Sequence, residues 1–514
     1  MPVGPHERAT IPQPGIPLRS PGMYQCETAE ILDLRGLPPA RGARDNGAMG
    51  LPEVNRWTTL LAALEQGLLE RESASRVLLL AALAGEHVLL IGPPGTAKSE
   101  LARRLHRVIG SAGYFERLLT RFSTPEELFG PLSLKSLEDD RYERLTTGFL
   151  PTAGIAFLDE VFKANSAILN ALLTLLNERE FDNGSGRVKT PLVSVVGASN
   201  ELPTDESLQA FFDRFLLRVP VAPVGDASFA ALLSLNDAAP LSVTPLAEAE
   251  RAAVEALSSS VALGAELIDG CQRLRVWLAA RGQPMSDRRW RQWIALMRVA
   301  AASEGRTQLD ALDLWLAPFV AAAAPPEMAA LEDWFASELI GAVAHDAPWL
   351  TRAVEAFEQQ LQIELSAQDD PDAGNAAGKL ALARSIGIGS GAAGDEPGML
   401  RIMASALEEQ LRRRYSRTHI DARVAQIDEV IAQVDAQRER VQGERDALAG
   451  RLAGRVWLPP RLAARLVGAH EATLAMLAER RLRLVAAREG FAALPLDPQL
   501  PAVAPAPVVI EEPA

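Results

Sequence analysis

The residues with the clearest chemical potential form one continuous run, Gly92-Pro93-Pro94-Gly95-Thr96-Ala97-Lys98-Ser99. The run separates apolar residues 87–91 from a helical pattern, so its backbone is expected between a strand and a helix N-terminus. There the N–H groups can surround phosphate, while Lys98 reaches the β- and γ-phosphates and Ser99 ligates Mg²⁺. Ala97 replaces the second glycine of the usual pattern, a difference of one methyl group. An incidental lysine is the alternative, disfavoured because the chain has only 5 lysines. The run predicts binding of ATP with Mg²⁺.

Two carboxylates follow a second apolar run, residues 154–158. Asp159 is expected to hold the Mg²⁺ shell, and Glu160 to orient and polarise the water that attacks the terminal phosphate. The interval between Lys98 and Asp159 leaves room for a helix and a strand of the same sheet. The two motifs together are far more specific than either one alone.

Two further side chains have candidate roles. Asn200 follows a third apolar run, residues 192–196, and its amide could hydrogen-bond the γ-phosphate or the water. An ordinary turn residue is the alternative for Asn200. Arg214 lies among aromatic residues and could act as an arginine finger on the nucleotide of a neighbouring subunit. The alternative for Arg214 is an ion pair with Asp213 or another nearby acid.

Adjacent arginines open a later helix, for which Ser286 is the expected N-cap. Arg288 or Arg289 could turn back onto the nucleotide of the same subunit. Spacing alone does not choose between them.

The elements that must position these groups alternate between strands and helices. The three apolar runs are short and nearly continuous, as in parallel strands covered on both faces, and helical patterns at 99–109 and 167–177 separate them. Residues 51–225 are therefore predicted to form an α/β sandwich. Residues 226–335 are rich in Ala and Leu, with no convincing strand, which predicts an all-helical second domain.

The rest of the chain is predicted to contain tails, a linker and a helical hairpin. Residues 1–50 and 491–514 are expected to be disordered tails, and residues 336–398 a helical segment with a Gly- and Asp-rich linker. Residues 399–490 combine apolar heptads, a Pro-Pro interruption and a second helical pattern, which predicts an antiparallel hairpin or small bundle. A surface helix packed on the body is the alternative. The heptad positions are Ile420, Val424, Ile427, Ile431, Val434, Val441 and Leu448.

Composition narrows the functional classes. The 52 basic and 66 acidic residues leave a formal net charge of −14, which argues against a broad basic face that coats duplex nucleic acid. Two cysteines cannot form a dense disulfide framework or a four-ligand zinc site, so a cytoplasmic protein is expected. No apolar run is long enough to span a membrane. Either Met1 or Met49 could be the true start.

These residues resemble the MoxR-type ATPases of the AAA+ class, and within it the RavA-like group. The similarity extends over about residues 54–330. It rests on the segments 92–99, 120–127, 129–132, 141–146, 148–151, 157–160, 167–170, 177–179, 198–203, 213–214 and 286–290.

The resemblance implies a P-loop AAA+ αβα sandwich with a helical lid, assembled as a hexameric ring with ATP at the subunit interfaces. It assigns Asn200 as sensor 1, Arg214 as the arginine finger and Arg288 as sensor 2. It also implies an insertion at about residues 132–147 and a hairpin at residues 181–190, which would face the pore or a surface of the ring. The implied activity is chaperone-like remodelling or activation of a protein client, together with a partner that bears a VWA domain.

Two other functional classes remain open. A nucleic-acid-dependent motor would use a related sheet, although the acidic balance and the lack of a basic, aromatic-studded extension or a zinc-ligand set weigh against it. An ATP-gated assembly scaffold would bind partners through the C-terminal hairpin and use hydrolysis only to set its assembly state.

Overall fold

The computed structural model describes residues 54–111, 113–184, 186–203, 205–235, 243–366 and 414–510. The predicted tail 1–50, the linker from residue 367 onward and Ser185 of the predicted hairpin turn lie outside these ranges. Among the helices so described, none has the length and apolar character needed to cross a membrane.

A five-stranded sheet forms the centre of the first domain, and all of its pairings are parallel. In spatial order the strands are β2 (Tyr114–Leu118), β3 (Ile155–Asp159), β6 (Ser194–Ser199), β1 (Val88–Ile91) and β7 (Leu217–Pro220). The three strands predicted from apolar runs are β1, β3 and β6, which lie in the middle and are almost entirely buried. The edge strand β2 had no such signal, because it is largely exposed and carries charged residues.

Helices cover both faces of this sheet, which confirms the predicted sandwich. One face packs against α1 (Val54–Glu65), α2 (Glu72–Ala84) and α3 (Lys98–Ile109). The other packs against α4 (Pro125–Phe129), α6 (Ser166–Glu178) and α7 (Glu206–Phe212). The short α5 (Leu134–Glu138) belongs to the insertion predicted at residues 132–147.

The predicted hairpin consists of β4 (Glu180–Asp182) and β5 (Arg187–Lys189), which pair antiparallel and lie against the insertion. The Arg144 N–H donates to Asn183 Oδ1 at 2.8 Å. At Gly184, with φ +79°, a Cβ would lie 1.9 Å from the Tyr142 carbonyl oxygen. Only glycine permits this approach. The close approach and the hydrogen bond together hold the hairpin against the insertion.

The second domain is helical apart from one pair of short strands. β8 (Ala262–Leu263) pairs in parallel with β9 (Gln308–Leu309), which corrects the all-helical expectation. The pairing is possible because Gly264 has no side chain; a Cβ there would lie 2.3 Å from the Leu309 carbonyl oxygen. The helices are α8 (Asp226–Leu233), α9 (Glu248–Ser258), α10 (Ala265–Ala280), α11 (Asp287–Ser303), α12 (Ala317–Ala321) and α13 (Pro325–Trp334).

The C-terminal part forms a three-helix bundle of α14 (Pro348–Ser366), α15 (Arg417–Leu452) and α16 (Pro460–Ala492). The chain reverses between α15 and α16, so these two helices are the hairpin that the heptads predict. Most heptad residues are buried: Ile420, Ile427, Val434 and Val441 lie in the core of the bundle, and Leu448 lies in the core shared by the first two domains.

The segment after α16 differs from the disordered tail that its composition predicts. The Tyr415 N–H donates to the Pro495 carbonyl at 2.8 Å, and Arg423 Nη1 donates to the Ala506 carbonyl at 2.8 Å. Val508 and Ile510 pack against the bundle. Contacts with α15 therefore order a Pro-rich segment that forms no helix or strand of its own.

The turn between α15 and α16 docks on the second domain. Trp457 is 1% exposed, and its ring centroid lies 5.8 Å from that of Trp57. Both indole N–H groups donate to Ser303 at 2.8 Å, Trp57 to its carbonyl and Trp457 to its hydroxyl. Arg455 adds an ion pair with Asp313 at 3.0 Å. The hairpin turn, α1 and α11 therefore meet at one buried junction.

Glu86 lies just before β1, at the amino edge of the sheet. Burial raises the pKa of its carboxyl to about 7, against the opposing attraction of Arg179, Arg288 and Arg289. Gln292 Nε2 donates to this carboxylate at 3.2 Å. Ionisation of Glu86 therefore costs stability in the folded protein.

Glu86→Gln is expected to stabilise the protein at alkaline pH. The carboxyl pKa is about 7 in the folded protein and 4.5 in its ordinary state, so folding takes up a proton between these values and stability falls as the pH rises through that window. The amide avoids this loss and should raise the free energy of unfolding by about 1–2 kcal/mol at pH 8, and by much less at pH 5. Urea unfolding at both pH values measures the difference.

Glu439→Gln, at an exposed position of α15, is the matched control and should leave stability nearly unchanged at both pH values. An equal gain from Glu86→Gln at pH 5 and pH 8 would contradict the assignment of the effect to a buried carboxylate.

Candidate functional site

The parallel register brings three predicted motifs to one edge of the sheet. Ile91, the last residue of β1, pairs with Ser199, the last residue of β6, and β3 pairs with β6 on its other side. The run 92–99, the pair Asp159-Glu160 and Asn200 therefore all lie at the carboxyl edge of neighbouring strands. Open α/β sheets bind their ligands at this edge.

The run 92–99 forms a tight strand-to-helix loop. A Cβ at Gly92 would lie 2.1 Å from the Val221 carbonyl oxygen, so glycine is required where the loop leaves β1. Thr96 is buried, and its hydroxyl donates to the Pro93 carbonyl at 3.0 Å. Ala97, at φ +67°, is the N-cap of α3 in the left-handed region. The tip, residues 93–95, is exposed, which leaves the loop open to a ligand.

Lys98 is buried inside this loop, and only 6% of its surface is exposed. Its Nζ donates to the carbonyls of Gly92 at 2.7 Å and Pro93 at 2.8 Å, and to Asn200 Oδ1 at 3.3 Å. Burial lowers the pKa of the ammonium, and two nearby carboxylates oppose that shift. The ammonium therefore already lies where phosphate oxygens could replace the loop carbonyls as its partners.

Glu160 is fixed at the same edge by several contacts. Asn200 Nδ2 donates to Glu160 Oε1, and Lys163 Nζ lies 3.2 Å from Oε2. The Glu160 N–H donates to Asp159 Oδ1 at 3.0 Å, and the residue adopts the left-handed φ of +51°. Asn200 thus joins Lys98 to Glu160 in one chain of hydrogen bonds, as expected if the three act on one substrate.

The remaining groups fit a nucleotide with Mg²⁺. Ser99 stands in the first turn of α3, and Asp159 ends β3, so a hydroxyl and a carboxylate oxygen are offered beside the loop. Mg²⁺ at nucleotide sites prefers few protein oxygens together with phosphate oxygens. The described residues contain no group of three or more His, Cys, Asp and Glu that could hold a metal by themselves.

Arg214 lies at the opposite edge of the sheet. It precedes β7, whose first residue Leu217 pairs with Val88, the first residue of β1. Asp213 pairs with Arg289 at 3.1 Å, so the ion pair considered for Arg214 is taken by another arginine. The buried Nε of Arg214 has no hydrogen-bond partner among the described residues.

The structure places neither Arg288 nor Arg289 beside the loop of its own subunit, and the sensor 2 role of Arg288 stays a prediction. Arg289 is 4% exposed and donates to Asp213 Oδ1, to the Val320 carbonyl and to the Leu216 carbonyl. Arg288 Nη2 donates to the Asn177 amide oxygen at 3.0 Å, at the end of α6. Both contacts lie at the amino edge, because the packing of α11 across the sheet directs its first turn there.

Two residues of the site were missed at the sequence level. Lys163 follows Glu160 by three residues, the spacing of one helical turn, and this spacing could have identified it. Arg71 lies behind the loop and donates from Nε to the Thr96 carbonyl at 3.3 Å. No motif surrounds Arg71, so the sequence alone contains no signal for it.

Comparison with known families agrees with this geometry. Residues 55–258 match the family model described as the MoxR domain in the MoxR-vWA-beta-propeller ternary systems, and residues 266–335 match the AAA lid domain. The region 55–335 of this chain therefore belongs to the MoxR family of AAA+ ATPases. The MoxR match extends past residue 225 through α8 and α9, and the lid match covers the rest of the second domain, so the predicted boundary at residue 225 stays a prediction. Assignment to the RavA-like group stays a prediction.

Curated relatives match the MoxR region as well. An uncharacterized protein of Methanocaldococcus jannaschii is 43% identical over 48% of this chain and 66% of its own length. Protein MoxR of Paracoccus denitrificans is 30% identical over 32% of this chain and 50% of its own length. Chaperone MoxR1 of Mycobacterium tuberculosis is 28% identical over 36% of this chain and 49% of its own length. The chain therefore spans less than two thirds of the length of these relatives.

Ala97→Gly is expected to stabilise this MoxR protein. An L-residue in the left-handed region is strained by roughly 1–2 kcal/mol, and glycine is not, so the change should raise the free energy of unfolding by about 1 kcal/mol. Urea unfolding measures it. Gly67→Ala is the matched control, since Gly67 has nearly the same φ, +66°, with no atom within 4 Å of its added Cβ. The Gly67→Ala substitution should lower the free energy of unfolding by a similar amount. A lower free energy of unfolding for Ala97→Gly than for the wild type would show that the φ of Ala97 does not strain the loop.

Proposed function

We propose that this protein hydrolyses ATP with Mg²⁺ in a cytoplasmic hexameric ring and uses the turnover to remodel or activate a protein client. The observation that carries the proposal is the hydrogen-bonded chain from Lys98 through Asn200 to Glu160, beside a phosphate-binding loop. It joins a phosphate-binding cation, an orienting amide and a general base at one edge of the sheet.

Each side chain then has a defined role. The loop N–H groups and Lys98 bind the phosphates, and Glu160 takes the proton of the attacking water, which Asn200 helps to orient. Ser99 and Asp159 would hold Mg²⁺. Bound Mg²⁺ supplies charge neutralisation at the phosphate oxygens. In the arrangement described here, the Glu160 carboxylate accepts from Asn200 and pairs with Lys163, and each of its oxygens keeps a second lone pair for a proton.

Two arginines that lie at the edge of the sheet opposite the loop support the proposed ring. Arg214 and Arg288 both lie at the amino edge, and the length of β1, on the order of 10 Å, separates that edge from the loop. The contact between Arg289 and Asp213 brings the two together, since each lies next to one of these residues. A neighbouring subunit that presents this edge to the loop would supply the arginine finger and sensor 2 from outside.

A protein client and a VWA-domain partner fit the remaining features. The matching family model is named for systems that combine MoxR with vWA and beta-propeller components, and a curated relative is named a chaperone. The net charge of −14 favours a protein client over a nucleic-acid track.

Glu160→Gln is expected to bind ATP like the wild type but to lose hydrolysis, because the amide keeps the hydrogen bond to Asn200 and cannot accept a proton. Lys98→Ala should lose nucleotide binding itself. Phosphate release and equilibrium binding of a fluorescent ATP analogue measure the two effects separately.

If the Glu160→Gln variant hydrolysed ATP as fast as the wild type, Glu160 would not be the general base. Lys135→Ala, which changes an exposed lysine of α5, is the control for Lys98→Ala and should keep nucleotide binding. Stimulation of hydrolysis by added DNA would instead favour the nucleic-acid motor.

Arg214→Ala is expected to lower turnover in the assembled ring on the order of 10³-fold without unfolding the subunit. Mixing Arg214→Ala with Glu160→Gln subunits should restore part of the activity, because the intact loop of one variant meets the intact arginine of the other. Steady-state hydrolysis in mixed and unmixed rings measures this. No recovery on mixing would contradict action between subunits.

A further inference from the structure

Arg71 is buried directly behind the phosphate-binding loop. It is the N-cap residue of α2 and is 6% exposed. Its guanidinium donates to three carbonyls, those of Thr96 at 3.3 Å, Ala222 at 2.6 Å and Glu70 at 2.9 Å. One side chain therefore joins the loop to the start of α2 and to the segment that leaves β7.

The bond to Thr96 determines the direction of the next N–H group. In a trans peptide the C=O and N–H of one unit point in opposite directions. Because Arg71 holds the Thr96 carbonyl toward the protein interior, the Ala97 N–H of the same unit points away from it, toward the hollow of the loop. N–H groups with this direction are the ones that bind phosphate at a helix N-terminus.

Ala97 makes this anchor necessary. Its φ of +67° is one that glycine adopts readily and alanine does not, and alanine stands where the usual pattern has glycine. Without an anchor, the Thr96-Ala97 peptide would be free to relax to another orientation. Arg71 opposes that relaxation from the buried side.

The charge of Arg71 is also directed at the loop. The neighbouring Glu70 carboxylate accepts the Gly225 N–H at 3.0 Å, and Glu70 and Glu72 both attract the Arg71 guanidinium electrostatically. The guanidinium therefore places a positive charge beneath the loop that these two carboxylates partly offset.

We propose that Arg71 is a positioning residue for the nucleotide. It holds the Thr96-Ala97 peptide so that the Ala97 N–H faces the phosphates, and it thereby compensates for the missing glycine at position 97. This inference rests on the proposed function, since it concerns how the same site binds ATP.

Arg71→Met tests it, because methionine keeps the apolar volume and removes every donor. The dissociation constant for the Mg²⁺ complex of ADP, measured by calorimetry, should rise about tenfold, which corresponds to the loss of one charged hydrogen bond. At saturating ATP, kcat should change by less than about twofold, because Arg71 touches no reacting group. The dissociation constant of Arg71→Lys should lie between those of the wild type and Arg71→Met. This variant keeps the test usable if Arg71→Met does not fold.

A double-mutant cycle with Ala97→Gly separates positioning from general stabilisation. Glycine adopts the required φ without help, so Arg71→Met should weaken binding only about threefold or less when it is combined with Ala97→Gly. Arg76→Met is the matched control. Arg76 lies on the same helix and donates to Glu65 at 2.6 Å and to the Val456 carbonyl at 3.2 Å. Its loss should lower the melting temperature and leave nucleotide affinity unchanged.

Equal affinities of Arg71→Met and the wild type would overturn the inference. An equal loss of affinity from Arg71→Met with and without the Ala97→Gly substitution would overturn it as well. A wild-type protein that binds no nucleotide would overturn the proposed function, and this inference with it. The wild-type measurement therefore distinguishes the two failures.

Discussion

The parallel direction of every strand in the central sheet is the constraint on which the site depends. Since β1, β3 and β6 all end at the same edge, a phosphate-binding loop, two acids and an amide that are far apart in the chain become neighbours. The same constraint requires a helical crossover between strands, and these helices bury both faces of the sheet. The chemistry and the hydrophobic core thus follow from a single topological choice.

The parallel sheet also separates the groups that bind ATP from the arginines that would complete the site. Arg289 donates hydrogen bonds to backbone carbonyls and to Asp213, and these bonds fix the lid to the amino edge of the sheet. Its neighbours Arg288 and Arg214 are presented at that edge as a consequence. Closure of a lid anchored in this way over the loop of its own subunit would break these buried bonds. In the proposed ring, the two arginines would instead act on the loop of a neighbouring subunit.

Contiguous patterns were predictable from the sequence, and long-range contacts were not. The three central strands are continuous apolar runs, and Lys98 and Glu160 follow two of them directly. The edge strand β2 lacks such a run because solvent covers much of it. The direction of Arg288 depends on how α11 crosses the sheet, which no local spacing encodes. Arg71 bonds to residues 25 and 151 positions away, so only the fold reveals its role.

The junction of Trp57, Ser303 and Trp457 holds one end of the C-terminal hairpin. Helix α15 has 36 residues, a length of about 54 Å, and its turn end is seated on both α1 and the lid. A rotation of this seat by about 10° would therefore carry the far end through about 9 Å. At that end Ser366 closes α14 and the described chain resumes at residue 414. A small rotation of the two packed tryptophans would thus become a displacement on the scale of a helix diameter at the other end of the hairpin.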